Sequence, residues 1–264
     1  MTIQRASKVR RRLSGTDLFG PAHLLPIGID ANGEDVDIDL GDHPVLAFLG
    51  PSVQGRHRAV MATSLAAGSL DYELRVFSAN PDTPISPRVA LRGREVVHGD
   101  WETEAAVRSL LDLIWQKLEQ LREHDVATWY ELTGLARVRY GPAPYLVIID
   151  HAERVSERLL SRLIDGAADA GIFLALVAER LSPTLLGSPH LLPIYLPSSM
   201  KDDPDDMELA LGPGAAADVK TSVALTEGIP LAGIGIIWNG PGQLRAFRLH
   251  NGEITWRRTR TPAR

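Results

Sequence analysis

A five-residue apolar run, Val45–Leu49, leads directly into Gly50-Pro51-Ser52-Val53-Gln54-Gly55-Arg56-His57, and the Ala- and Leu-bearing segment Arg58–Ser69 follows. A short apolar run of this kind reads as a buried strand, and the segment behind the glycines favours helix. Strand, glycine loop, helix is therefore the local order. A second run, Tyr145–Ile149, is also uninterrupted and ends in Asp150. That is the pattern of a central parallel strand, covered on both faces and carrying a polar residue at its carboxyl end.

The rest of the chain alternates in the same way. Pro26–Leu40 places Ile27, Ile29, Val36, Ile38 and Leu40 between polar residues around Asn32-Gly33, which predicts a β-hairpin. Further strands are expected at Glu73–Phe77, Glu95–Val97, Ile172–Ala178, Leu192–Leu196, Leu231–Ile237 and Leu244–Leu249, with Pro81, Pro84 and Pro87 breaking regular structure between the first two. From Glu102 to Glu123 the positions Val107, Leu110, Leu111, Ile114, Leu118 and Leu121 repeat at helical spacing and mark one buried face, with Trp115 read as core beside it. Ser156 is a candidate cap for a helix whose buried stripe is Leu159, Leu160, Leu163 and Ile164. Asp202, Asp203, Asp205 and Asp206 around Pro204 suit the positive end of a short helix. Strands alternating with helices imply an α/β fold of three layers on a mostly parallel sheet, preceded by the hairpin.

Composition narrows the chemistry. The 264 residues include 28 Lys+Arg, 33 Asp+Glu and no cysteine, for a net charge of −5. The lack of cysteine excludes a thiolate nucleophile, a Cys-ligated zinc and an iron–sulfur cluster, and the charge balance argues against a globally basic nucleic-acid binder. Apolar runs such as Ile172–Ala178 are far shorter than the ~20 residues of a membrane-spanning helix. The opening stretch, with Lys8, Arg10, Arg11 and Arg12, has no apolar core and does not read as a secretory signal. Residues 1–22 are expected to be a basic flexible arm, 23–250 the domain, and 251–264 an Arg-rich tail.

The glycine loop has the GxxxxG frame of a phosphate-binding loop in the required context, after a strand and before a helix. In that motif successive backbone N–H groups surround the phosphates, a Lys reaches the outer ones and a Ser or Thr ligates magnesium. Here Arg56 stands at the Lys position and His57 at the Ser/Thr position, so a charge is kept while the hydroxyl ligand is lost. Asp150, at the end of its apolar strand, is placed to organise magnesium. His151 follows where a carboxylate would polarise the attacking water.

Taken in order, these features resemble the FtsK/SpoIIIE family of P-loop motor domains. The LPIGID…VDIDL hairpin, the stretch Gln116–Gly134, the strand end Ala170–Arg180 and the segment Gly228–Ile237 are each similar to a family feature. Arg180 keeps the arginine of the family's Gln-Arg-Pro signature, with Glu179 and Leu181 in place of its neighbours. The resemblance spans roughly Leu25 to Leu249 and implies a RecA-like P-loop NTPase fold. It implies nucleotide contacts from Gly50, Ser52, Gln54, Gly55, Arg56, His57 and Asp150, and catalytic candidates in Asp150, His151 and Arg180. ATP, with weak or no dependence on magnesium, is the implied cofactor.

The departures from the motif admit three readings. Arg56 pairs with Asp150 and closes the site, with Val53 obstructing the loop; nucleotide is held on the remaining backbone donors without hydrolysis; or Arg56 and His151 sustain hydrolysis. A separate reading gathers His57, Asp150 and His151 into a two-His, one-carboxylate metal site. The functional expectation is a degenerate, non-hydrolysing partner or regulatory module of a DNA- or protein-translocating assembly, like the degenerate ATPase domains of EccC-type secretion proteins. The alternative is an active DNA translocase. A ring-forming or hetero-oligomeric ATPase partner is implied, with DNA or a secreted protein as cargo and a cytoplasmic location reached at the membrane through partners. Arg180 senses nucleotide or reaches a neighbouring subunit, or else pairs locally, with Glu179 beside it; Trp129 and Tyr130 either touch a partner or pack on the sheet.

Overall fold

A computed structural model describes residues 24–69, 72–78, 80, 83, 95–98, 100–131, 144–199, 202–225, 231 and 233–250. The basic arm, the Arg-rich tail, the prolines 81, 84 and 87, and the side chain of Tyr130 lie outside the described residues.

The hairpin forms as its alternation predicts. Strands β1 (Leu24–Asp30) and β2 (Asp35–Asp39) pair antiparallel, and Asp30 turns the chain by accepting the N–H groups of Asn32 and Glu34 on its side chain while Gly33 sits at φ 80°. Strand β3 (Val45–Leu49) then enters the core, fully buried, and leads to helix α1 (Val53–Ser69). Strands β4 (Glu73–Ser78) and β5 (Glu95–His98) and the long helix α2 (Asp100–Arg122) follow. Next come β6 (Tyr145–Asp150), α3 (Glu157–Gly166), β7 (Ile172–Ala178), the single turn α4 (Pro183–Leu186) and β8 (Leu191–Tyr195). The chain closes with α5 (Pro204–Leu211), α6 (Ala215–Leu225), β9 (Ile234–Trp238) and β10 (Leu244–Leu249).

All ten strands join one sheet in the order β2-β1-β10-β9-β8-β3-β7-β6-β4-β5. From β8 to β5 the strands are parallel, and from β8 back to β2 each pairing is antiparallel. The mostly parallel sheet of the sequence reading is thus the six-strand side from β8 to the edge strand β5, and the hairpin is no separate preface: β1 docks on β10 and becomes part of the same sheet. Glycine makes that junction. A Cβ on Gly28 would meet the Arg248 carbonyl oxygen at 2.4 Å, and one on Gly235 would meet the Phe247 ring at 2.7 Å, so the buried Phe247 lies across backbone at both places.

Alternate residues of the central strands feed two cores. Val45, Ala47, Leu49, Val147, Ile149, Leu174 and Leu176 face Val107, Leu110 and Ile114 of α2 and the stripe Leu159, Leu160, Leu163 and Ile164 of α3. Leu46, Phe48, Ile148, Phe173, Ala175 and Val177 face the small residues Ala59, Ala62, Ala66 and Ala67 of α1. Three layers result, each large side chain so buried contributing about 1.5–3 kcal/mol.

Two side chains of α2 depart from expectation. Trp115 is 56% exposed, because it lies one residue, about 100°, beyond Ile114 on the buried stripe. Lys117 falls on that stripe and is only 4% exposed, its Nζ 4.4 Å from the centre of the Tyr145 ring. Trp129, by contrast, packs as core, edge-on to Phe173 with ring centres 6.0 Å apart. Ser156 occupies the cap position of α3 without donating or accepting a capping hydrogen bond through its side chain, whereas Asp203 caps α5 by accepting from Asp205 N with Pro204 in the first turn.

Candidate functional site

Parallel register brings the chemistry to one edge. Leu49 pairs with Ala178, Asp150 with Val177, and Ser78 with Asp150, so Gly50, Arg180, Asp150 and Ser78 all emerge at the carboxyl ends of adjacent strands. Ligands of open α/β sheets bind in the crevice outside this edge. The strand that carries Arg180, β7, runs between the glycine-loop strand β3 and the Asp150 strand β6.

The loop itself is tight. Gly50 has φ 147°, and a Cβ there would lie 2.3 Å from the Leu196 carbonyl oxygen, so glycine is required by both conformation and space. Helix α1 begins at Val53, five residues earlier than its composition suggests, because Ser52 caps it: Ser52 Oγ accepts from Gly55 N at 2.9 Å and Ser52 O accepts from Arg56 N at 2.9 Å. Pro51 has no N–H to offer. Val53 is 54% exposed in the first turn.

Arg56 does not reach Asp150. The guanidinium is 5% exposed and folds back, Nη1 donating to the Gly50 carbonyl oxygen at 2.6 Å. This overturns the Arg56–Asp150 ion pair; the carbonyl six residues upstream is within reach of the first helical turn, and Asp150 is already engaged elsewhere. His57 is partly buried, and its Nε2 has no hydrogen-bond partner.

Asp150 is 1% exposed and is held from the β4 side. Its Oδ2 accepts from Ser78 Oγ at 2.9 Å and from Thr83 Oγ1 at 2.5 Å, and its Oδ1 accepts from the His151 amide at 3.0 Å. Ser78 and Thr83 also contact each other at 2.6 Å. Neither hydroxyl was among the sequence candidates: Thr83 stands in a proline-rich stretch with no motif, and Ser78 is marked only by ending the strand next to Asp150. His151 adopts a left-handed backbone, φ 57°, and turns its Nδ1 to Glu153 at 3.2 Å. Among the described residues no group of three His, Asp or Glu side chains is arranged to hold a metal ion. The gathering of His57, Asp150 and His151 is therefore corrected: Asp150 turns to hydroxyls and His151 to Glu153.

Arg180 does make a local ion pair, though with Asp206 of α5 at 2.8 Å rather than with the neighbouring Glu179. The same side of the edge carries a second buried carboxylate. Asp202 accepts from Tyr195 OH at 3.1 Å, from the amide and hydroxyl of Ser198 at 2.7 and 2.5 Å, and from the amide and hydroxyl of Ser199 at 3.0 Å each. Burial pushes the Asp202 carboxyl up, but the Ser198, Ser199 and Tyr195 donors outweigh it and hold the carboxyl below its ordinary value. Burial and then the Asp202 charge push the Tyr195 phenol up.

No family model and no curated protein matches the chain. The cytoplasmic domain of the type VII secretion ATPase EccC of Thermomonospora curvata is similar over 85% of this chain and 28% of its own length, with TM-score 0.64 and 18% identity. The pCW3 conjugation coupling protein TcpA, solved with ATPγS, is similar over 88% of this chain and 67% of its own, with TM-score 0.65 and 14% identity. This is the fold of the secretion ATPase domains. ATPases 2 and 3 of EssC from Geobacillus thermodenitrificans add a third case, covering 90% of this chain and 46% of theirs, with TM-score 0.58 and 15% identity. The likeness to an FtsK/SpoIIIE-type domain, and to EccC in particular, thus holds for the fold. The chain spans less than a third of the EccC domain it matches and less than half of the EssC one. Among the described residues, no helix is long and apolar enough to cross a membrane.

The residues present do not supply the hydroxyl ligand that magnesium takes in such a fold. The amide of Gly55 is held by Ser52, the Arg56 guanidinium is turned onto the Gly50 carbonyl, no hydroxyl stands at position 57, and Asp150 has donors on both oxygens.

Proposed function

We propose that this chain is a pseudo-ATPase: a P-loop domain that does not hydrolyse nucleotide and serves as a partner or regulatory module of an ATP-driven translocation assembly of the type VII secretion kind. One observation carries the reading. The phosphate loop turns two of its donors inward: the Gly55 N–H is held by Ser52 Oγ, and the Arg56 guanidinium, the charge that would reach for phosphate, donates to Gly50 O. Binding an anion there requires breaking both contacts first, which leaves nucleotide affinity weak, and the lost hydroxyl at His57 leaves it indifferent to magnesium.

The residues of this site are Gly50, Ser52, Gln54, Gly55, Arg56, His57 and Asp150. The partners are catalytic ATPase subunits of the same fold in a ring or hetero-oligomer. The cytoplasm is the compartment, with recruitment to the membrane through those partners, and the assembly's cargo is a secreted protein or DNA. Support for the assembly comes from the fold shared with EccC and EssC domains.

Equilibrium binding of a fluorescent ATP analogue, with and without magnesium, tests the reading on the wild type and on Arg56→Lys/His57→Ser. Weak binding by the wild type, unchanged by magnesium and strengthened in the double variant, is the expected result. Tight magnesium-dependent binding accompanied by phosphate release from the wild type would sink it.

A further inference from the structure

In a working P-loop site the carboxylate at the end of the Asp150 strand shares its metal with a hydroxyl of the phosphate loop. In this chain the hydroxyls around that carboxylate come from the opposite direction. Ser78 ends β4, the strand on the far side of β6 from the glycine loop, and Thr83 follows it by five residues. Both lie against the same oxygen of Asp150, at 2.9 and 2.5 Å, the Ser78 hydroxyl also within 3.0 Å of the Asn80 carbonyl oxygen, while the other carboxylate oxygen takes the His151 amide. A carboxylate oxygen offers about two lone-pair positions, so Oδ2 is filled. Both hydroxyl residues are buried, Asn80 N donates to Ser78 Oγ at 3.0 Å and Thr83 N donates to Asn80 O at 3.2 Å.

We infer that Ser78 and Thr83 form a hydroxyl clamp that has taken Asp150 out of the nucleotide site, so that the site is disabled independently at its loop and at its carboxylate. This rests on the pseudo-ATPase reading and adds a second lock to it. A carboxylate with one oxygen filled and the other on an amide, 1% exposed, satisfies its charge without a cation. Repairing the loop alone then restores a Lys contact to phosphate and the hydroxyl at position 57 while the metal still lacks its acidic partner. Metal dependence returns only when the clamp is opened as well.

The test compares four full-length proteins: wild type, Arg56→Lys/His57→Ser, Ser78→Ala/Thr83→Val, and all four changes together. The probes are Mn²⁺, followed by electron paramagnetic resonance, and ATPγS binding with and without it. The expected result is that the loop variant binds ATPγS with little response to Mn²⁺, and that only the combined variant binds at least ~10-fold more tightly when Mn²⁺ is added, a difference of about 1.4 kcal/mol. Adding Asp150→Asn to the combined variant should abolish that gain. Because removing both hydroxyls leaves Asp150 short of donors, Thr83→Ser in the loop variant supplies a folded control that keeps the hydroxyl and should show no gain. A loop variant that acquires the full Mn²⁺ dependence with its hydroxyls intact overturns the clamp and leaves the pseudo-ATPase reading standing. So does a combined variant, folded by circular dichroism, that acquires none. Strong Mn²⁺ dependence already in the wild type overturns both.

Discussion

Two aspartates are buried beyond the carboxyl ends of the same sheet, Asp150 at 1% and Asp202 at 7% exposure, and among the described residues neither makes an ion pair. Their solutions differ in range. Asp202 takes most of its donors from Ser198 and Ser199, three or four residues away, so it staples one loop to itself and to Tyr195. Asp150 takes its side-chain donors from residues 67 and 72 positions away, so its environment exists only once β4 and β6 are paired. A locally held carboxylate is a turn device. A remotely held one has been assigned its partners by tertiary structure, and at this edge that assignment decides what the site can bind.

The largest effect expected from breaking this comparison is at the local device. Asp202→Ala strands several donors at once and should lower stability by about 2–3 kcal/mol in urea unfolding. Asp202→Asn should cost less and carry a pH signature. The folded carboxyl sits below its ordinary 3.8, so its stabilisation is complete above that value and is lost as pH falls through the depressed one. The gap between wild type and Asp202→Asn should therefore close in acid, and a gap that stays constant would show that the charge is not what the donors hold.

Next in size is the remote device. Thr83→Val removes one of three donors to Asp150 and should cost about 1–2 kcal/mol, while Thr83→Ser should cost less than half of that. A loss for Thr83→Ser larger than that for Thr83→Val would mean that the Thr83 methyl, not its hydroxyl, matters at this position, and the contrast between the two aspartates would reduce to packing.

Lys117 is a buried charge of opposite sign, with its Nζ 4.4 Å from the centre of the Tyr145 ring. Its position on the buried stripe of α2 desolvates the ammonium and lowers it to about 8, with the Arg75 charge adding to this and Glu73 opposing it. The folded value lies below the ordinary 10.5, so the cost of burying the ammonium is fully present below pH 8 and is relieved as pH rises toward 10.5. Lys117→Met should accordingly stabilise the fold by about 1 kcal/mol at neutral pH, an advantage that shrinks above pH 8 and is measurable by thermal unfolding across that range. Destabilisation at neutral pH would show that the contact with the Tyr145 ring outweighs desolvation.

Legibility followed the same division between local and remote. Strands Val45–Leu49, Ile172–Ala178 and Leu244–Leu249 were readable to the residue because an unbroken or alternating apolar run is a property of neighbours in sequence. The glycine loop and Asp150 were readable for the same reason. Lys117 was not, since a lysine at a stripe position reads as polar surface, and Trp115 was misplaced because one residue of helix separates a buried face from an exposed one. Helix α6 escaped because Ala215–Leu225 carries little periodic contrast. Within the site, the residues were legible but their partners were not. Arg56 pointed to Asp150 by charge alone, whereas the fold gave Arg56 a carbonyl and gave Asp150 two hydroxyls, one at the end of β4 and one five residues beyond it, in a stretch with no motif.

The smallest effect should come from the ion pair that the same edge displays in the open. Arg180 meets Asp206 at 2.8 Å, as close as any donor to Asp150 save Thr83, yet the arginine side chain is 59% exposed. Water screens such a pair and ordering a long side chain offsets much of what remains, so the expected loss for Arg180→Ala is about 0.5 kcal/mol or less, falling further in high salt. Distance alone would rank this contact with the hydroxyls on Asp150; burial ranks it well below them. Urea unfolding of Arg180→Ala beside Thr83→Val separates the two rankings. Equal losses would mean that exposure is a poor guide at this edge, and would return Arg180 to the structural frame of α5 rather than leaving it free to exchange Asp206 for a neighbouring subunit.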